Sequence, residues 1–169
     1  MKIYIGSDHG GYELKNKIVD FLKEKNYDIN DMGPHVYDSE DDYPDYIIPT
    51  CEKVVEHKDN LGIVLGGSGQ GEAIAANKVK GIRAMTFYSP VLAIDAVDVT
   101  GRMSKDPFEN LKLAKEHNHS NVLSIGARFI DFETIKKAII VWIETPYGNI
   151  ERHMRRIKKI EDYENKKWR

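Results

Sequence analysis

Short apolar runs alternate with amphipathic stretches along the chain. Lys2–Gly6 reads as a buried strand, and Tyr12–Lys25 carries Leu14, Ile18, Phe21 and Leu22 at helical spacing. Tyr27–Asp31 is a weaker strand. His35–Asp42, with its DSEDD cluster, is a loop, and Pro44 suits the first turn of a helix running to about His57. Leu61–Leu65 is an apolar strand, Gly66–Gly71 a glycine-rich loop and Glu72–Val79 a short helix. Gly81–Phe87 and Asn121–Ile125 are further strands, Asp131–Ile143 is a helix, and a charged final helix begins near Asn149 and ends in a polar tail. Strands separated by helices predict βαβ units and a parallel sheet covered on both faces. Asp95–Glu109 breaks the pattern. Thr100-Gly101-Arg102 and Asp106-Pro107 interrupt any helix there, so the stretch of about residues 90–110 reads as an irregular insertion within one domain, residues 1–169.

Charge adds that the protein is no general nucleic-acid binder, since its net charge is −2. Residues 151–169 are the exception, with eight Lys/Arg against four Asp/Glu. At this length that basicity suits a charged helix with a few functional arginines. Cys51 is the only cysteine, which rules out an intrachain disulfide and a cysteine cage for a metal. The first apolar run breaks at Gly6, too early for a signal peptide, and no stretch approaches the roughly 18 apolar residues of a membrane span. These features point to the cytoplasm.

The most informative segment is LGIVLGGSGQGEAIAANK, Leu61–Lys78, which runs strand, loop, helix. Four glycines among residues 66–71 let the backbone approach a ligand closely, and loop amides at a helix N-terminus favour an anion. The dinucleotide spacing of glycines at i, i+2 and i+5 is absent. The phosphate-loop lysine is replaced by Glu72, which would repel a polyphosphate. The anion favoured here is therefore charge that develops during a reaction, with Glu72 moving a proton. Spacing alone leaves open the alternative that Glu72 only complements the positive end of its helix.

Other polar clusters also carry two readings. Asp8 and His9 end the first strand, where they can orient a hydroxyl or, with Ser7, cap the next helix. His117 and His119 lie two apart with no further ligand cluster, which argues against a metal site. Arg152 and Arg156 share a helix face that suits a phosphate or a solvated surface.

Taken together, SDHGG (Ser7–Gly11), DYPDY (Asp42–Tyr46), GGSGQGEAIAANK (Gly66–Lys78), GIRA (Gly81–Ala84), EHN…NVLSIGAR (Glu116–Arg128) and RHMRRI (Arg152–Ile157) resemble the type B ribose-5-phosphate isomerase family, which includes galactose-6-phosphate isomerases. The resemblance covers nearly all of the chain outside the region near 90–110. It implies a Rossmann-like three-layer α/β sandwich with a five-stranded parallel sheet and an extra C-terminal helix. It implies a homodimer or homotetramer with shared active sites, and cofactor-free, metal-free interconversion of an aldose and a ketose phosphate through a cis-enediolate.

By the same resemblance, Glu72 is the base and Ser68 moves a proton between two substrate oxygens. Gly67, Gly69, Gln70 and Gly71 hold the enediolate. Asp8, His9, Tyr43, His117 and Asn118 bind substrate or open its ring, His117 being favoured for ring opening. Arg128, Arg152 and Arg156 hold the phosphate, and His153 falls at a site position. Another subgroup uses a cysteine where this chain has Gly66; Cys51 lies elsewhere, on a helix. Ribose 5-phosphate is the expected substrate, with allose 6-phosphate or galactose 6-phosphate as alternatives. A non-catalytic sugar-phosphate sensor and a nucleotide-binding module are the rivals from other classes.

Overall fold

The computed structural model describes residues 1–167. Five strands form one sheet in the order β2-β1-β3-β5-β4, and every pairing is parallel. The strands are β1 (Ile3–Ser7), β2 (Ile29–Asp31), β3 (Leu61–Gly66), β4 (Ala84–Phe87) and β5 (Val122–Gly126). The helices are α1 (Tyr12–Glu24), α2 (Pro44–Val55), α3 (Gln70–Ala76), α4 (Glu109–Asn118), α5 (Phe132–Glu144) and α6 (Glu151–Glu164).

Alternation along the central strands divides the core in two. Ile3, Ile5, Ile63, Leu65, Leu123 and Ile125 pack with residues of α1, α4 and α5, including Ile18, Leu111 and Trp142. Tyr4, Val64 and Val122 face the opposite side, against Ile47, Cys51 and Val54 of α2 and Ala75 and Ala76 of α3. Helix α6 lies outside these layers and packs on α4. The result is the three-layer α/β sandwich with a five-stranded parallel sheet and an added C-terminal helix.

The main departure from the sequence reading is α4, which carries the chain into β5. Its apolar signal is thin: Leu111 is its one fully buried apolar residue, and Lys115 is buried beside it. The Lys115 ammonium lies 4.8 Å from the Trp142 ring centre and 4.1 Å from that of Tyr147, so aromatic faces replace apolar side chains in seating the helix. Burial pushes the Lys115 pKa down to about 8.

Helix α3 starts two residues before the expected Glu72, and β4 starts at Ala84 instead of Gly81. Asn77 explains the late start: its side-chain amide donates to Ala84 O (3.1 Å) and accepts from Ala84 N–H (2.9 Å), holding a turn ahead of the strand. Between Tyr88 and Pro107 the chain is irregular, as the breakers predict. Arg102 clasps this excursion by pairing with Asp98 (3.0 Å) and with the buried Glu109 (2.8 Å).

Candidate active site

The carboxyl ends of β1, β3 and β5 meet at one edge of the sheet, the side on which open parallel sheets take their ligands. Backbone bonds weld the three connections together. Asp8 N–H donates to Leu65 O (3.2 Å), Ala127 N–H to Gly66 O (2.9 Å) and Arg128 N–H to Gly67 O (3.2 Å). The glycine-rich loop enters α3 through Gly69, whose φ of +76° is a left-handed turn that favours glycine. The buried Ser124 hydroxyl donates to Gly69 O at 2.6 Å and fixes that turn from β5. The Gln70 N–H donates to the Ser68 hydroxyl oxygen at 3.3 Å.

These loops surround a hollow of about 380 Å³ lined by Asp8, His9, Tyr43, Ser68, Glu72 and Arg128, with Gly67 and Gly71 in its wall. Glu72 is 4% exposed, and its Oε2 is buried with no hydrogen-bond partner. Burial raises the Glu72 pKa above the usual glutamate range and the nearby Asp8 charge adds to this, while the backbone N–H groups of Glu72 and Gly69 oppose it. A desolvated carboxylate at a helix N-terminus, beside a hydroxyl and a glycine-rich loop, has the chemistry to accept a proton. Gly66 makes room for it: a β-carbon at that position would lie 1.8 Å from Glu72 Oε1.

Asp8 partly fulfils its capping expectation. Its Oδ1 accepts Gly11 N–H at 3.1 Å and closes the turn into α1, although Gly11 itself occupies the N-cap position and no side chain caps it. The Ser7 hydroxyl is buried without a partner.

His117, Asn118, Arg152, His153 and Arg156 stand apart from this hollow. Helix α4 runs towards the amino end of β5, so His117 and Asn118, at its C-terminus, lie at the opposite edge of the sheet. The His117 and His153 rings meet edge to face, their centres 3.9 Å apart. His153 is 5% exposed, and its pKa is lowered by burial and then by the charges of His117, Arg152 and Arg156. Those two arginines therefore share a neighbourhood with the histidine pair, whereas Arg128 sits with His9. His119 is occupied in a different way. Its Nε2 meets Gly148 O at 2.6 Å and its ring stacks on Tyr147. No cluster of three or more His, Cys, Asp or Glu fit for a metal occurs among the described residues. No described helix is long and apolar enough to cross a membrane.

The sequence reading missed Asp41, which the structure places against His9, and Phe129, which joins the wall of the hollow. Asp41 belongs to an acidic run whose composition signals only a solvated loop. Phe129 is flagged by nothing but its position after Arg128.

Fold and site define a Rossmann-like α/β domain with a buried carboxylate, a serine hydroxyl and a glycine-rich loop gathered at the carboxyl ends of its strands. The Ribose/Galactose Isomerase family model matches residues 3–100 and 105–160, and the chain belongs to that family. It is 38% identical over 167 residues to a ribose-5-phosphate isomerase B of Mycolicibacterium paratuberculosis, covering 97% of this chain and 92% of that one. It is 37% identical over 166 residues to a putative sugar phosphate isomerase of Bacillus subtilis, with 98% and 99% covered. The structure of Clostridium thermocellum ribose-5-phosphate isomerase B superposes with a TM-score of 0.82 at 36% identity, covering 98% of this chain and 99% of that one. That of the Mycoplasma genitalium enzyme with bound ribulose-5-phosphate also gives 0.82, at 34% identity, covering 97% and 96%.

Proposed function

We propose that the protein interconverts ribose 5-phosphate and ribulose 5-phosphate through a cis-enediolate, with Glu72 as the base. The observation that carries this reading is the buried Glu72 carboxylate, which has an unpartnered oxygen and lines one hollow with Ser68 and the glycine-rich loop. Relatives named ribose-5-phosphate isomerase B, and one solved with ribulose-5-phosphate, support the choice of pentose.

In this account the ring opens first, through proton movement by His117 and Asp8. Glu72 removes the C2 proton and returns it to C1, a role in which a positioned base contributes roughly 10²–10⁴ in rate. Amides of Gly67, Gly69, Gln70 and Gly71 take up the charge on O1; loss of one such donor typically costs about 10²–10³. Ser68 passes the proton between O1 and O2. His9, Tyr43 and Asn118 bind the substrate, and Arg128, Arg152 and Arg156 hold the phosphate. The substrate is isomerised with no net gain or loss of electrons, so the reaction needs no redox cofactor.

The two clusters lie at opposite edges of one sheet, so a single chain cannot bring both to one sugar. A second copy that presents its His117, Asn118, Arg152 and Arg156 to the Glu72 hollow completes the site, which makes the working unit a homodimer or a pair of them. Glu72→Gln tests the chemistry. The variant is expected to fold and to lose at least about 10²-fold in kcat on ribose 5-phosphate. Turnover near that of the unaltered protein would remove Glu72 from the mechanism.

A further inference from the structure

The loop ahead of α2 brings a second acid to the site. The Asp41 side chain is 5% exposed, and its Oδ1 accepts both the His9 backbone N–H (3.0 Å) and the His9 ring at Nδ1 (2.7 Å). Its other oxygen, Oδ2, is buried with no hydrogen-bond partner. An ionised carboxylate can only accept, so this geometry requires a proton on Nδ1 and leaves Nε2 as the free ring nitrogen. The main-chain bond fixes the backbone of His9 and the ring bond fixes its plane. The ring borders the hollow that holds Glu72, Ser68 and Arg128.

We propose that Asp41 is a positioning residue: it holds His9 in one orientation with Nδ1–H turned to the carboxylate, so that Nε2, protonated in the imidazolium form, donates a hydrogen bond to an oxygen of the sugar phosphate. This inference rests on the isomerase reading above.

The electrostatics around the ring agree. The bond to Asp41 is the largest influence and raises the His9 pKa; Asp8 also raises it, while desolvation and Arg128 lower it. Glu13 and Lys17 of α1 line the hollow adjoining His9, along with Tyr37, and Glu72 and Tyr43 line the one it shares with Ser68. A cationic His9 beside Arg128 gives the site two donors for an anionic oxygen on the carboxyl edge of one chain. Activity that needs protonated His9 falls as pH rises through the His9 pKa. The same activity needs ionised Glu72 and falls as pH drops through the raised Glu72 pKa.

The test follows His9 directly, by imidazole NMR of the full chain across pH, and kinetically, by the pH profile of kcat/KM on ribose 5-phosphate. In the unaltered protein, neutral His9 is expected to carry its proton on Nδ1. In Asp41→Asn the His9 midpoint and the alkaline limb of the profile are both expected to fall by about one unit or more, with the acid limb unmoved. Asp41→Glu, which keeps the charge, is expected to keep a raised midpoint. In a His9→Asn background, Asp41→Asn is expected to cost little further activity. A neutral ring protonated only at Nε2, a midpoint indifferent to Asp41→Asn, or a full additional loss in the double variant would overturn the proposal. Absence of isomerase activity in the unaltered protein would sink the functional reading instead, and the NMR arms would still decide the pair.

Discussion

Gly66 and Glu72 show how one atom can decide the chemistry. The β-carbon of an alanine at 66 would overlap the end of the Glu72 side chain, which is flexible, and not the backbone. Gly66→Ala is therefore expected to fold while displacing the carboxylate, with a loss of about 10² or more in kcat and a circular-dichroism spectrum unchanged from the parent. Retained activity would show that Glu72 needs no space there. Burial has a second consequence. The folded-state pKa of Glu72 lies above its unfolded value, so its contribution to stability is present at low pH and lost as pH rises through the folded pKa. At neutral pH the ionised group costs stability, and Glu72→Gln is expected to raise Tm while abolishing activity; scanning calorimetry at pH 7 reads this, and a lowered Tm would contradict it. Much of the site was legible in the sequence, because Glu72, Ser68 and the glycines sit together in one run. The Asp41–His9 pair was not: its members are 32 positions apart, and nothing in an acidic stretch says which carboxylate folds inward.

At the scale of elements, the strands and most helices follow from periodicity because each buries one face or two. Helix α4 escaped because its seat is made by Leu111 and by Lys115 lying over two aromatic rings, a contact with no apolar signature along the chain. The excursion after β4 is held by charge instead of core. Arg102 joins Asp98 to Glu109, and Ser104 donates its hydroxyl to Glu109 (2.8 Å), so the irregular stretch is tied to the first turn of α4. The Asp98 charge also acts on His153, which places the excursion near the histidine and arginine cluster. Arg102→Ala leaves the buried Glu109 without its cation. It is expected to lower stability by about 1–3 kcal/mol and to speed amide exchange across residues 89–107. Unchanged exchange there would show that the clasp does not order the segment.

At the scale of the whole molecule, the separation of the two clusters has a genetic signature. In the proposed shared-site dimer, Glu72→Gln is expected to disable the hollow of its own chain, and Arg156→Ala the arm lent to a partner. In a mixed dimer of the two variants, one site combines both defects and the other has neither. Co-refolding the two inactive variants in equal amounts is expected to restore about a quarter of the parent activity; no recovery would place both groups in one chain's site. What remains central is proton transfer at carbon. The most direct measurement is NMR of ribose 5-phosphate incubated with the protein in D₂O. The account predicts that deuterium enters the aldose at C2, and that Glu72→Gln abolishes this. Exchange or interconversion that persists at the parent rate in Glu72→Gln would contradict it.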